Sequence, residues 1–397
     1  MLRFDLDASL LKINQMNIKI RILVAAFMIV SCKAQKVDNN LAISTSFQSI
    51  LDDAVADSKL NLAGVSMTVI APDLEISWSG AAGFDSTKKD QELSADQPFR
   101  IASITKTFVA AATLRLHEMG KLSIEDPISK YIAVEHQKIL EKDGYDPSAI
   151  SIKQCLLHRS GLYDYAMGGE DFVQTVAQDP FKRWTRTEQV QFAMDHGEPL
   201  GKPGDVYSYS DTGYILVGEI LEKVSQKPLA EALRSLLNFE ALGMHSTWLE
   251  SLEDKPAGLP DAVHRYFNGT DATAWDNSLD LYGGGGIAST THDLGIFYSA
   301  IFNGQLFQNE NTLALMLTDA GEVQERHGAE SYRLGLWQIP ALDSEGFMHN
   351  GFWGSAVAHV PKYNFTVSVN YTNDTNGAGL FKKTAAIIKK LENDRRK

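Results

Sequence analysis

A serine three residues ahead of a lysine can form a nucleophile pair, because positions i and i+3 share a helix face and the amine then reaches the hydroxyl. The spacing occurs three times, at Ser9…Lys12, Ser86…Lys89 and Ser103…Lys106, where about one or two matches arise by chance in a chain of average residue usage. Ser9 precedes a leader-like segment. Ser86 lies in the polar turn Asp85-Ser86-Thr87-Lys88-Lys89-Asp90. Ser103 instead opens a segment with Phe108, Val109, Ala111, Ala112, Leu116 and Met119 at helical spacing, closed by Gly120, so a helix starting at Ser103 is expected. The positive first turn of that helix stabilises a developing alkoxide and disfavours a charged lysine. A neutral Lys106 could then take the Ser103 proton. Taken alone, an N-cap serine beside a solvated lysine explains the pair better.

The elements that would carry such a pair are legible in outline. Phe47, Ile50, Leu51, Ala54 and Val55 recur at helical spacing. Val65, Met67 and Val69 alternate with Ser66, Thr68 and Ile70, and Leu74, Ile76 and Trp78 continue beyond an Ala71-Pro72-Asp73 turn. That predicts a hairpin. A second hairpin joins 356–360 to Phe365, Val367, Val369 and Tyr371 across Lys362-Tyr363-Asn364, and a last amphipathic helix carries Leu380, Phe381, Ala385, Ile388 and Leu391. The middle, 103–300, reads as helices broken by Gly and Pro. Strands at both ends with helices between predict an α+β fold: one sheet whose halves meet in space, plus an inserted helical lobe. No internal repeat occurs.

Further blocks change the weight of the serine–lysine pair. Phe99-Arg100-Ile101-Ala102-Ser103-Ile104-Thr105-Lys106, with Gly120-Lys121-Leu122-Ser123-Ile124-Glu125-Asp126-Pro127 after it, resembles the first motif of the serine β-lactamase and penicillin-recognising superfamily. Cys155-Leu156-Leu157-His158-Arg159-Ser160-Gly161-Leu162 is similar to its LLxHxSGL segment. Tyr207-Ser208-Tyr209-Ser210-Asp211 is similar to its second motif, Tyr-x-Asn, and His349-Asn350-Gly351 to its third, Lys-Thr-Gly or His-x-Gly. Gly284 to Thr290, ahead of Asp293-Leu294, resembles another family block. The order and spacing hold over about residues 47–390. The branch most resembled holds class C β-lactamases, DD-carboxypeptidases, D-amino-acid peptidases and related esterases.

The resemblance implies a β-lactamase/transpeptidase-like fold, a mainly antiparallel sheet flanked by helices, and a serine hydrolase acting through an acyl-enzyme without metal or organic cofactor. It implies that Ser103 attacks, Lys106 assists deprotonation and Tyr209 serves as general base and then acid. Tyr209 needs nearby cations for this, since its reference pKa is about 10. The oxyanion hole falls to the backbone N–H groups of Ser103 and Phe352, and substrate binding to Asp211, His349, Asn350 and Gly351. His158 belongs to a structural turn of the family.

Two residues depart from the pattern. Asp211 replaces asparagine. A carboxylate only accepts hydrogen bonds, so it repels an amide carbonyl, holds Lys106 protonated if they pair, and favours a substrate with a free amine. His349 replaces lysine, holds a substrate carboxylate less firmly and can still donate one hydrogen bond. Both point from β-lactamase toward peptidase or esterase chemistry on D-amino-acid peptides or small esters and amides. The rivals are a true β-lactamase and a catalytically weakened cell-envelope binding protein.

Composition narrows the field. The chain has 397 residues, 44% hydrophobic and 22% charged, with a net charge of −13. It suits one large two-lobed domain or two domains and speaks against nucleic acid as a main partner. Two cysteines build neither a disulfide scaffold nor a Cys-rich zinc site. His117-Glu118 begins a zinc-protease match that fails at Lys121, and neither Gly-x-Ser-x-Gly nor a nucleotide-binding loop occurs. From a start at Met16, the basic Asn17-Ile18-Lys19-Ile20-Arg21, the apolar run 22–30 and Ser31-Cys32 describe an export signal, and Ile29-Val30-Ser31-Cys32 resembles a bacterial lipobox. The expected organisation is a signal over 1–31, a tether over 32–45 lipidated at Cys32, and a hydrolase domain over 46–392. The protein would then be an exported, membrane-anchored lipoprotein of the bacterial cell envelope, with Lys33 favouring the outer membrane in a Gram-negative cell. Its partners are a small-molecule or peptide substrate and, through the lipid, a membrane. Cys155 reads as an inert core thiol.

Overall fold

Alternation of branched apolar residues with small polar ones builds strands, and antiparallel pairing lets the two ends of a chain close one sheet. The computed structural model describes residues 41–166, 168–318, 331–372 and 378–396; the export segment and Cys32 lie outside them. The chain divides into two units, 1–49 and 50–397. Of the first, residues 41–49 are described and are helical. The second holds the sheet, the helical lobe and the cleft.

The strands are β1 (Gly64–Ala71), β2 (Ile76–Gly83), β3 (Phe99–Arg100), β4 (Trp248–Leu249), β5 (Tyr266–Phe267), β6 (Thr270–Asp271), β7 (Ile287–Ser289), β8 (Trp337–Ala341), β9 (Ser344–Gly351), β10 (Ser355–Val360) and β11 (Phe365–Tyr371). Six of them form an antiparallel sheet in the order β2-β1-β11-β10-β9-β8. The pairing of Val65 with Tyr371 and of Met67 with Val369 joins the two ends of the chain, as the two hairpins predict. Leu74 does not belong to β2. Pro72–Leu74 form a short 3₁₀ turn and the chain reverses at Glu75, φ +55°. The polar side chains of β1 are not in solvent either. All eight of its residues are buried, because a helix covers that face too, and Thr68 Oγ1 bonds Thr291 Oγ1 at 2.9 Å.

The helices are α1 (residues 50–56 of this unit), α2 (Thr105–Glu118), α3 (Val134–Lys142), α4 (Ile152–Leu156), α5 (Asp171–Gln178), α6 (Arg186–His196), α7 (Asp211–Ser225), α8 (Leu229–Leu236), α9 (Phe239–Leu242), α10 (Thr291–Phe302), α11 (Glu310–Met316) and α12 (Ala378–Arg395). Helix α10 packs on β1, β10 and β11, and α12 on β11. Helices α3 to α9 fall between β3 and β7 and make the inserted lobe. Local chemistry starts them: Ser151 with Gln154 opens α4 and Thr185 with Glu188 opens α6, each as a reciprocal capping box. The axis of the molecule is α2, buried at every position from Thr105 to Leu114. A helix hydrophobic all round belongs inside a large core. Phe108 stacks on Phe297 at 3.7 Å and meets Phe239 edge-on at 5.9 Å, so α2 ties sheet-side α10 to the lobe. Among the described residues no helix is long and apolar enough to cross a membrane.

Candidate active site

The serine–lysine pair sits where α2 begins, though not as the plain helix start that its spacing predicts. Ala102–Ile104 form a 3₁₀ turn, and α2 starts at Thr105. Ala102 adopts φ +45°, a left-handed conformation uncommon for a residue with a Cβ, and such strain often marks a functional turn. Ser103 caps nothing. Its Oγ accepts a hydrogen bond from Lys106 Nζ at 3.0 Å. Lys106 is fully buried; its Nζ also donates to Gly284 O at 2.8 Å and ion-pairs with Asp211 Oδ1. Three donors meet three acceptors, so the ammonium is satisfied as a cation. The solvated-lysine alternative is thereby removed.

Tyr209 completes the constellation. The neighbouring Ser103 hydroxyl favours its ionised form, and Lys106 Nζ stands 4.9 Å from its ring centroid. Burial, and then the Asp211 charge, push its pKa well above 10. The ring is held from behind by His158, stacked at 4.0 Å and 30°. His158 Nδ1 accepts the Ser210 N–H at 3.0 Å, and burial with the Lys106 charge lowers its pKa well below 6.5. It is a neutral scaffold for Tyr209. Tyr207, whose alternation with serines suggests an exposed turn, is buried against Tyr332 and Trp337.

Asp211 heads α7, whose N-cap is Ser210. Its own N–H donates to Asp164 Oδ1 at 3.1 Å. Burial and the Asp211 charge push the Asp164 carboxyl up. A third carboxyl, Asp280, is raised from 3.8 to about 7, mainly by burial. Neither Asp164 nor Asp280 belongs to a motif, so the sequence offers no signal for them beyond their type.

His349 lies on β9 and faces the cleft, but not as a donor to substrate. Its Nδ1 lies 2.8 Å from Asn350 O and its Nε2 3.2 Å from Tyr332 Oη. The carbonyl can only accept, so Nδ1 carries the proton and Nε2 accepts from the tyrosine. Burial and the Lys106 charge lower its pKa to about 3. Gly351 ends β9 against the nucleophile turn: a Cβ there would lie 2.1 Å from Ile101 O. Ser103, Tyr209, Asp211, His349, Asn350 and Phe352 line one cleft of about 440 Å³. Its walls are mostly apolar, with Phe172, Val176, Trp275 and Trp353 among them. Cys155 stays in the core, its thiol raised to about 12 by burial. Among the described residues no group of three His, Cys, Asp or Glu could hold a metal ion.

Sheet, lobe and cleft together define the β-lactamase/transpeptidase fold class. The family described as Beta-lactamase matches residues 47–392, and the chain belongs to that family of serine hydrolases. Esterase EstB of Burkholderia gladioli is 26% identical over 226 residues, 55% of each chain. A D-stereospecific amidohydrolase from Streptomyces sp. superimposes with a TM-score of 0.70 at 26% identity, covering 86% of this chain and 97% of that one. A D-amino acid amidase from Ochrobactrum anthropi SV3 gives a TM-score of 0.72 at 24% identity, covering 90% of this chain and all of that one. The chain spans about half to two thirds of the length of curated relatives it matches.

Proposed function

We propose that the protein is a serine hydrolase that cleaves small esters and amides, D-aminoacyl compounds among them, through an acyl-enzyme on Ser103. The observation that carries this reading is the hydrogen bond from Lys106 to Ser103 on the wall of an apolar cleft that Tyr209 also lines. The substrate carbonyl seats its oxygen toward the N–H groups of Ser103 and Phe352. With Tyr209 as a phenolate facing the Lys106 ammonium, Ser103 Oγ attacks the carbonyl carbon while its proton passes to the phenolate oxygen. Tyr209 returns that proton to the departing alcohol or amine as the tetrahedral adduct collapses to the acyl-enzyme. Water then enters, gives its proton to Tyr209 and attacks the ester, and Ser103 leaves with that proton. Burial and the Asp211 charge keep Tyr209 protonated in the resting site, so turnover draws on its small phenolate fraction. Lys106, paired to Asp211, stabilises the alkoxide and the phenolate as a fixed cation rather than as a base.

Among the described residues the cleft lining holds no arginine or lysine, and its histidine is uncharged. A substrate carboxylate finds no cationic partner among them, which supports ester and amide substrates over β-lactams. We further propose that the enzyme works in the cell envelope, anchored through Cys32, on the strength of the segment 16–32 alone. The first test is p-nitrophenyl ester hydrolysis by the chain from Lys33 onward, beside Ser103→Ala and with nitrocefin as comparison. Ester turnover lost in the variant supports the assignment; equal turnover in both removes Ser103 from the chemistry. Unchanged membrane partitioning and mature mass in Cys32→Ala would end the lipoprotein proposal.

A further inference from the structure

We propose that Arg265 is a positioning residue of the oxyanion hole: its guanidinium bridges the turn after β9, which carries the Phe352 N–H, and the strand that leads into Ser103. The proposal rests on the reading of those two N–H groups given above.

The turn follows from its residues. Gly351 pairs with Ser355 across the β9–β10 hairpin, which leaves a three-residue loop. Such a loop is commonly a turn closed between its first and fourth residues, with a left-handed residue at its end. Here the Gly354 N–H donates to Gly351 O at 3.2 Å, and Gly354 adopts φ +81°. The N–H of the second residue takes no part in closing such a turn. Phe352 is that residue, so the turn leaves its N–H for a ligand.

Two grips hold the turn. On the near side Gly351 lies against Ile101, and Ser355 Oγ donates to Ile101 O at 3.3 Å. On the far side Arg265 Nη1 donates to Trp353 O at 3.1 Å and to Tyr371 O at 2.9 Å, while Nη2 donates to Asn370 Oδ1 at 2.6 Å. The Tyr371 N–H in turn donates to Gly354 O at 2.8 Å. The guanidinium also stands 5.4 Å from the ring centroid of Phe99, on β3, which runs into the Ala102–Ile104 turn. One side chain thus touches both segments that would supply the oxyanion donors.

Arg265 is 2% exposed, and among the described residues it pairs with no carboxylate. Glu250, the acid that acts on it, is already held by Arg100 Nε at 2.9 Å. Burial, and then the Arg100 charge, lower its pKa to about 9. A buried cation without a counter-ion is costly. What the guanidinium supplies in return is a planar fork of donors that fixes main-chain carbonyls in orientation as well as in distance, which a single flexible ammonium does less well.

The test separates rate from fold. Fluorophosphonate labelling of Ser103, carried to completion, counts the competent sites of each protein, and p-nitrophenyl ester turnover is expressed per labelled site. Arg265→Met is expected to lower kcat by about 10²-fold, the cost of losing an oxyanion donor, with KM little changed. Arg265→Lys, which keeps a donor, is expected to fall between that variant and the wild type. Phenylboronic acid forms a tetrahedral adduct on the serine that sets an oxygen in the hole. Its affinity is expected to fall by the same factor as kcat/KM. Should Arg265→Met fail to fold, Asn370→Ala decides: it releases one donor of the fork, leaves Arg265 in place, and is expected to lower kcat per site by about fivefold, as one hydrogen bond allows. Unchanged kcat per labelled site in these variants, or an unchanged boronate affinity, makes Arg265 a structural tie and overturns the proposal. A wild type that takes no label at Ser103 breaks the catalytic reading and this proposal with it, whereas labelling with unimpaired variants breaks only the positioning role.

Discussion

The same four-residue pattern occurs twice in the folded domain with opposite results. Ser86 is buried and Lys89 exposed in a polar turn. Ser86 Oγ bonds Asp90 at 3.0 Å, Lys89 points into solvent, and its backbone is left-handed at φ +58°. Ser103 and Lys106 lie at the start of α2, where the lysine is fully buried and its amine is shared between Ser103, Asp211 and Gly284. The spacing is identical, so spacing is not what makes a nucleophile. What differs is that α7 and the glycine run close over one lysine and leave the other hydrated. Burial fixes the amine's geometry and removes the water that would screen it.

The contrast can be broken at four points. The largest effect is expected on turnover: Ser103→Ala should lower ester kcat/KM by about 10³-fold or more, while Ser86→Ala leaves it unchanged. A loss with Ser86→Ala would overturn the distinction. Next comes stability. Lys106→Met leaves Asp211 buried and unpaired and should cost about 3–5 kcal/mol in urea unfolding, whereas Lys89→Ala should stay within about 0.5 kcal/mol. Adding Asp211→Asn to Lys106→Met should recover much of the loss, and strict additivity would show that the pair is not coupled.

The third effect is a pH dependence. Asp280 is raised from 3.8 to about 7 in the folded chain. As pH rises the unfolded chain gives up this proton first, so its contribution to stability is full below about pH 4 and is lost as pH passes 7. Asp280→Asn should therefore gain Tm relative to wild type between pH 5 and pH 8, and a gain in the opposite direction contradicts the assignment. The smallest effect is expected from His158→Phe. It keeps a ring behind Tyr209 but orphans the Ser210 N–H, so kcat should fall by about tenfold with KM little changed, because a positioning contact worth roughly 1–1.5 kcal/mol is lost.

Much of this architecture could be read from residue order alone. The two hairpins, the end-to-end sheet and the helical middle follow from periodicity, and Ser103, Tyr209 and His349 fall in motifs whose order brings them to one cleft. Other features had no local signature. Asp164 and Asp280 come from connecting segments distant in sequence and meet Asp211 only through folding. His158 was set aside as a turn residue and proves to be the ring behind Tyr209. The tautomer of His349 is set by the Asn350 carbonyl, and its Nε2 is taken up by Tyr332, which the sequence gives no reason to pair with it. Burial of Ser66 and Thr68 depends on α10 covering the second face of β1, and alternation cannot report a layer that arrives from residues 291–302.

Gly351 carries a consequence for how this enzyme could diversify. Its contact with Ile101 locks two stretches of main chain together, and the proposed oxyanion donors are main-chain groups. The Phe352 side chain, 46% exposed at the cleft mouth, takes no part in that lock. Position 352 can therefore be exchanged for residues of other sizes and polarities while the amide beneath stays where it is. Selection can rewrite what the cleft admits at this position without renegotiating how the cleft reacts.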